Sequence, residues 1–311
     1  MSFTRTLEAL DLLDRSDVSG EMVKDVFLKA GIKEVEVKKI EGPKGHTDFI
    51  KAVIPGSHGK RMNGTAPTLG IIGRLGGIGA RPERIGLVSD GDGAVAAVAT
   101  VLKMAKMLSV GDVLPGDVII STHICPDAPT QPHEPVPFMG SPVDMTTMNQ
   151  QEVDPEMDAI LIVDTTRGNR VINHKGFAIS PTVKEGYILR VSEDILSIME
   201  IVTGELPVVF PLTIQDITPY GNGLYHLNSI LQPSTAAKAP CIGIAITSHS
   251  AVPGCATGAS HATDIEQVVR FNIEVAKNFT RKSCSFYNTK EFELLIDLYG
   301  PMNHFQTAGK K

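Results

Sequence analysis

Acidic residues and histidines recur just after the short apolar runs of this chain. Asp90 and Asp92 lie in Ser89-Asp90-Gly91-Asp92-Gly93, where an alanine-rich stretch begins. Asp127 follows Cys125-Pro126, with His123 shortly before, and Asp164 closes the run Ala159–Val163. His249 and His261 come after Ile242–Thr247. Carboxylates held together repel one another unless a cation or a proton intervenes. Oxygens from Asp with nitrogens from His suit one divalent ion, zinc or manganese. Each residue also has a plain structural use. Asp90 and Asp92 can cap a helix and favour its dipole. Asp127, in a proline-rich loop, can form a turn, and His123 can be a satisfied core histidine. The convergence of the set carries the functional reading more than any single member does.

The elements that must position these residues follow from periodicity. Two helices open the chain, about Thr4–Asp14 with Leu7, Leu10 and Leu13 on one face, and about Gly20–Ala30 with Ser19 as N-cap and Gly31 as stop. Glu34–Ile40 alternates like a half-buried strand, and Phe49–Ile54 is its hairpin partner. From Thr68 apolar runs alternate with helical patterns. Strands are expected over Leu69–Ile72, Val118–Ile124, Ala159–Val163, Val208–Leu212 and Ile242–Thr247. Helices are expected over Asp92–Leu108, Ser192–Thr203, Gly223–Leu231, Asp264–Asn278 (with Thr263 and Glu266 as a capping box) and Lys290–Tyr299. This pattern predicts an α/β layered sheet with helices on both faces. The division expected is residues 1–64, helices and a strand pair packed on a main domain of residues 65–311. In open α/β sheets ligands bind beyond the carboxyl ends of the strands. The residues just after each strand are therefore the ones to inspect.

Composition narrows the options. The chain has 311 residues, a formal charge of −6, no tryptophan, and 29 glycines with 20 prolines. The acidic balance lacks the basic footprint of a nucleic-acid binder. No run approaches the length of a membrane span, and the N-terminus lacks a signal-peptide core, so a cytoplasmic protein is expected. Cys125, Cys241, Cys255 and Cys284 are scattered without a CxxC pair, which predicts reduced thiols. The run Gly73-Arg74-Leu75-Gly76-Gly77-Ile78-Gly79 fits neither the dinucleotide fingerprint nor the P-loop. Asp90-Gly91-Asp92-Gly93 lacks the distal Glu of an EF-hand.

The order of these residues resembles the co-catalytic zinc exopeptidases, the superfamily of zinc aminopeptidases and carboxypeptidases. VSDGDGAVAAVATVL over Val88–Leu102 resembles that superfamily's bridging-Asp helix, and DAILIVDT over Asp158–Thr165 its next ligand strand. DVIISTHICPD over Asp117–Asp127 falls where its Glu-Glu strand stands. The resemblance implies a three-layer sandwich with a mixed, mostly parallel central sheet. It implies Asp90, Asp127, Asp164 and His261 as metal ligands, with His249 the rival late histidine, and a homo-oligomer. The chain departs from the pattern at two places. Arg74-Leu75-Gly76 occupies the His-x-Asp position, and Pro126-Asp127 replaces Glu-Glu. Taken whole, the chain is also similar to a bacterial family known as domain of unknown function 1177.

Three functions follow as expectations. The first is a metal-dependent hydrolase of amide or small peptide-like substrates. Its proton would pass through His123, Glu134 or Asp127, and Arg74, Asn222 and His249 would bind substrate. The guanidinium fork of Arg74 suits a substrate carboxylate. The second is a catalytically degenerate protein that binds a small ligand or serves an assembly. The third is a cofactor-independent isomerase that moves a proton between Cys125 and Cys255.

Overall fold

The computed structural model describes the chain except residues 78–86, 127, 129, 132–137, 167, 213–221, 250–259, 308, 310 and 311. At residues 75–77, 89, 130–131 and 138–139 only the backbone is described. In chain order the elements are α1 (Ser2–Leu13), α2 (Gly20–Lys29), β1 (Glu34–Gly42), β2 (Gly45–Ile54), β3 (Leu69–Gly77) and α3 (Asp92–Ser109). Then come β4 (Val118–Cys125), β5 (Thr130–Gln131), β6 (Phe138–Met139), α4 (Met145–Glu152), β7 (Ala159–Thr165), β8 (Gly176–Ile179), β9 (Val183–Lys184) and β10 (Tyr187–Ile188). The chain continues with α5 (Glu193–Thr203), β11 (Cys241–Thr247), α6 (Ala262–Thr280) and α7 (Thr289–Tyr299). Two short 3-10 stretches matter for the site, Ser89–Gly91 and Ser229–Thr235.

One sheet organises the molecule, in the order β1-β2-β4-β3-β7-β11-β9-β10, with β8 also paired to β11. β4, β3, β7 and β11 run parallel at its centre. The hairpin β1–β2 continues it antiparallel through β2–β4, so the N-terminal strand pair is part of the same sheet. Parallel strands need crossovers, and these place helices on the faces.

Side chains alternate across the central strands. Leu69 and Ile71, Ile120 and Ile124, Leu161 and Val163, and Ile244 and Ile246 join the core under α1, α3, α5 and α6. Ile72, Ile119, Ile160, Ile162 and Ala245 join a second core with Phe210, Ile230 and Leu231. The second layer is thus built largely from the Ser229–Thr235 stretch and its flanks. The result is the layered α/β sandwich expected from the sequence.

The start of α3 is pressed onto the sheet. A Cβ at Gly73 would lie 2.3 Å from the carbonyl oxygen of Gly93, and one at Gly93 would lie 2.5 Å from that of Val163 and 2.6 Å from that of Arg74. Glycine at both places lets the helix backbone approach the strand ends and fixes Asp90 and Asp92 there.

Several local expectations change. Leu7 points outward, and α1 buries Thr6, Ala9 and Leu13 instead. Val208–Leu212 forms only a bridge, Val209 to Ile179. The helical stretch expected at Gly223–Leu231 is the 3-10 segment Ser229–Thr235. α6 begins at Ala262 with His261 as N-cap and no side-chain cap, so Thr263 is inside the helix and the capping box does not form. Among the described residues no helix is long and apolar enough to cross a membrane.

Candidate functional site at the carboxyl edge of the sheet

The parallel strands β4, β3 and β7 lie side by side, and their carboxyl ends carry chemistry. Strand parity sends Arg74, His123 and Asp164 to one face, the face of Ile72, Ile119 and Ile162. A register shift between Gly73 and Gly76 bulges β3 at Arg74. Bulges re-aim side chains and are common beside functional sites.

Arg74 is 1% exposed. Its Nη1 donates to Asn149 Oδ1 at 3.0 Å and to Glu152 Oε2 at 2.5 Å, and its Nη2 donates to Gln232 Oε1 at 2.5 Å. Asn149 and Glu152 sit three apart on α4, one turn of a single face. Asp144 caps that helix by accepting from the backbone N–H of Thr147. Both Nη atoms are thus spent inside the protein, on groups no local pattern ties to Arg74.

Glu152 gathers a second cation. Its Oε1 lies 2.5 Å from His123 Nδ1. Both side chains are buried. Burial alone would push the Glu152 carboxyl up, but the Arg74 and His123 charges hold it below its ordinary range. Burial likewise disfavours the His123 imidazolium, yet the Glu152 charge and hydrogen bonds to Cys125 and Glu152 raise it to about 9. Cys125 is two residues along β4, on the same face, and ends the strand. Its sulfur lies 3.5 Å from Thr47 Oγ1, on the neighbouring strand β2. Phe49, opposite His123 on β2, walls the ring at 5.7 Å between centroids. Arg74 Nε and Gln232 Nε2 have no hydrogen-bond partner among the described residues.

The acidic residues reach the same edge. The turn Ser89–Gly91 packs against β3 and β7. Asp90 and Asp92 are buried there, and Asp164 is buried at the end of β7, with Oδ1 accepting from Thr165 N–H at 2.7 Å. Ser260 Oγ donates to Asp92, which ties the start of α6 to the start of α3. That tie brings His261 to this edge as well. Its ring is 55% exposed and leans toward Asp264, Nδ1 to Oδ2 3.5 Å.

The other expected positions lie apart or beyond view. His249 is exposed and faces His174 at 6.3 Å between ring centroids. Asn222 is exposed and its Oδ1 accepts from Leu224 N–H at 3.2 Å. Asp127, Glu134 and Cys255 lie outside the described residues. Carboxylate oxygens from Asp90 and Asp164 with a His261 nitrogen are the donor kinds a divalent ion takes. Among the described residues, no three His, Cys, Asp or Glu side chains gather into a group that could hold a metal. Glu152 was missed from the sequence because α4 was missed. The available signal was Asp144 before Thr147, an N-cap pattern.

An α/β sandwich with a polar cluster at the carboxyl edge of its parallel strands is thus defined. The chain belongs to the family described as protein of unknown function DUF1177, whose model matches residues 38–309. No curated protein matches it. Among solved structures it is similar to the bottromycin maturation enzyme BotP in complex with Mn, at 12% identity and TM-score 0.51, over 89% of this chain and 71% of that one. It is similar also to glutaminyl cyclase from an Acidobacteriales bacterium (12% identity, TM-score 0.49, 90% of this chain and 94% of that one). A cytosol aminopeptidase from Coxiella burnetii gives 13% identity and TM-score 0.49, over 89% and 68% of the two chains. The likeness to BotP carries the fold.

Proposed function

We propose that this chain is a metal-dependent hydrolase of amide or small peptide-like substrates. The observation that carries the reading is the burial of Asp164 at the end of β7 and of Asp90 in the turn packed on β3 and β7, with the start of α6 tied to Asp92, two residues on from Asp90, through Ser260. BotP, described in complex with Mn, supports the class of ion. Asp90, Asp164 and His261 do not gather into a metal group by themselves, so Asp127, which lies outside the described residues, would have to join them to hold the ion; bound there, the ion would polarise a carbonyl and lower the pKa of a water.

The chain's own residues set the rest. Gly73 and Gly93 hold Asp90 and Asp92 against the strand ends. With its raised pKa, His123 carries a proton at neutral pH and acts as a donor in that state. Arg74 keeps Glu152 charged beside it.

A panel of short peptides, acylamino acids and lactams tests the reading. Turnover that Asp90→Ala and Asp164→Ala each lower by a factor of about 100 or more supports it. Turnover that ignores both substitutions overturns it.

A further inference from the structure

The sheet ends in two different ways. At one end lies β10, two residues long, and a short edge strand is a common way to close a sheet. At the other end lies β1, nine residues long and paired to β2 from Glu34 to Gly42 without a register shift. Among the described residues no strand pairs with its outer side. It holds neither a proline nor a bulge to blunt it.

The turn after β1 decides which of its backbone groups stay open. Pro43-Lys44 is a two-residue turn, so its closing pair, Gly42 and Gly45, is hydrogen-bonded. Bonded and non-bonded pairs alternate along an antiparallel ladder. Val35, Val37, Lys39 and Glu41 therefore turn their N–H and C=O groups away from β2. Val35 and Val37 are half-buried against the main core, on a strand that α2 packs against. Glu36 and Lys38 lie on the opposite face and are exposed.

We propose that β1 pairs antiparallel with β1 of a second copy of this chain, about a two-fold axis at Val37, so that one sheet runs through a dimer.

The order of charges selects this register. A two-fold axis normal to the sheet keeps every side chain on its own face, so it passes through the same residue of both strands. With the axis at Val37, Glu36 faces Lys38 of the second copy, and Lys38 faces Glu36 of that copy. Lys33 and Glu41 meet in the same way. Val37 faces Val37, Val35 lies against the stem of Lys39, and Glu34 faces Ile40. Opposite charges directly across a pair of strands are favourable, and like charges are not. Glu36 and Lys38 fall at a non-bonded pair, where cross-strand side chains come closest. An axis at Glu36, Lys38, Lys39 or Glu41 sets that charged residue against its own copy. An axis at Val35 sets Glu34 against Glu36, and one at Ile40 leaves Val35 and Val37 beyond the paired stretch. Among the described residues, the ion pairs that β1 makes within the chain are Arg61 with Glu34 and Lys39 with Glu41, and they do not use Glu36 or Lys38.

The plain alternative is an edge whose charges keep every other strand away. Protection of that kind needs charge of either sign. It gives no reason for opposite signs placed symmetrically about Val37.

The full-length protein is tested by sedimentation velocity over a range of micromolar concentrations at low salt. The unaltered chain should sediment as a particle of twice the chain mass. Glu36→Lys and Lys38→Glu each set like charges across both symmetry-related pairs, and each should raise the dissociation constant by about tenfold or more. Both side chains are exposed, so the variants should keep the fold, which circular dichroism checks. The double variant Glu36→Lys/Lys38→Glu exchanges the two signs and should restore the dimer. Equal amounts of the two single variants should form a mixed dimer, because each Lys then faces a Glu. A chain that stays monomeric throughout overturns the proposal. So does an assembly that ignores both single substitutions, or one that the double variant and the mixture fail to restore.

Discussion

Glu152 is the residue on which the buried cluster turns. It faces a guanidinium and an imidazole at once, and all three side chains are nearly inaccessible to water. Removing one partner of a buried pair strands the others, at roughly 3–5 kcal/mol. Glu152→Gln should therefore destabilise by about that much in urea unfolding, and NMR titration should find His123 well below its present value of about 9. The same shift makes stability depend on pH. His123 titrates at 6.5 when free and at about 9 when folded, so its contribution is full below 6.5 and is lost as pH rises through 9. Glu152 is shifted down, so its contribution is present above its ordinary 4.5 and fades only as pH falls through its lower folded value. A series of melting temperatures should show a decline from pH 6.5 to 9 that His123→Asn flattens. His123 itself was visible in the sequence as a catalytic candidate or a satisfied core histidine. Neither reading named Glu152, because the two are 29 residues apart and only the folded sheet joins them.

At the scale of elements, the glycines under α3 do the positioning. A methyl at Gly93 would collide with two strand carbonyls, and overpacking of this kind costs about 1–3 kcal/mol. Gly93→Ala should lower the melting temperature accordingly and shift the start of α3 away from β3 and β7. The regular elements were legible because their signals are local. Ser19 and Ser192 cap α2 and α5 as their positions suggest, and Gly204 ends α5 in the left-handed conformation. What escaped depends on distant contacts. The α4 sequence, MTTMNQQE, is polar and only weakly amphipathic, and Arg74 and Thr235 engage its Asn149 and Glu152 side chains. Val208–Leu212 has the composition of a strand, but Pro207 and Pro211 remove donors a ladder needs. Ser260, not Thr263, makes the bond that anchors the start of α6 to its neighbour.

For the whole molecule, sheet order is what brings the site together. β4, β3 and β7 are consecutive in the sheet while the chain places Arg74, His123 and Asp164 far apart. Expecting an edge site needed only the strands and the residues after them: Arg74, His123 and Asp164 lie on neighbouring strands, and Asp90 lies in a turn packed on two of them. The partners of Arg74 were not legible, since Asn149, Glu152 and Gln232 come from segments with no periodic signal. A metal held at this edge binds the folded state alone and should raise the melting temperature by mass action. The most direct test of the proposed function is the metal content of protein purified without chelator, by mass spectrometry, for the unaltered chain and for Asp90→Ala and Asp164→Ala. The expected result is about one zinc or manganese per chain, lost in both folded variants, with a melting temperature that drops in EDTA. A metal-free protein whose melting temperature is indifferent to EDTA would contradict it.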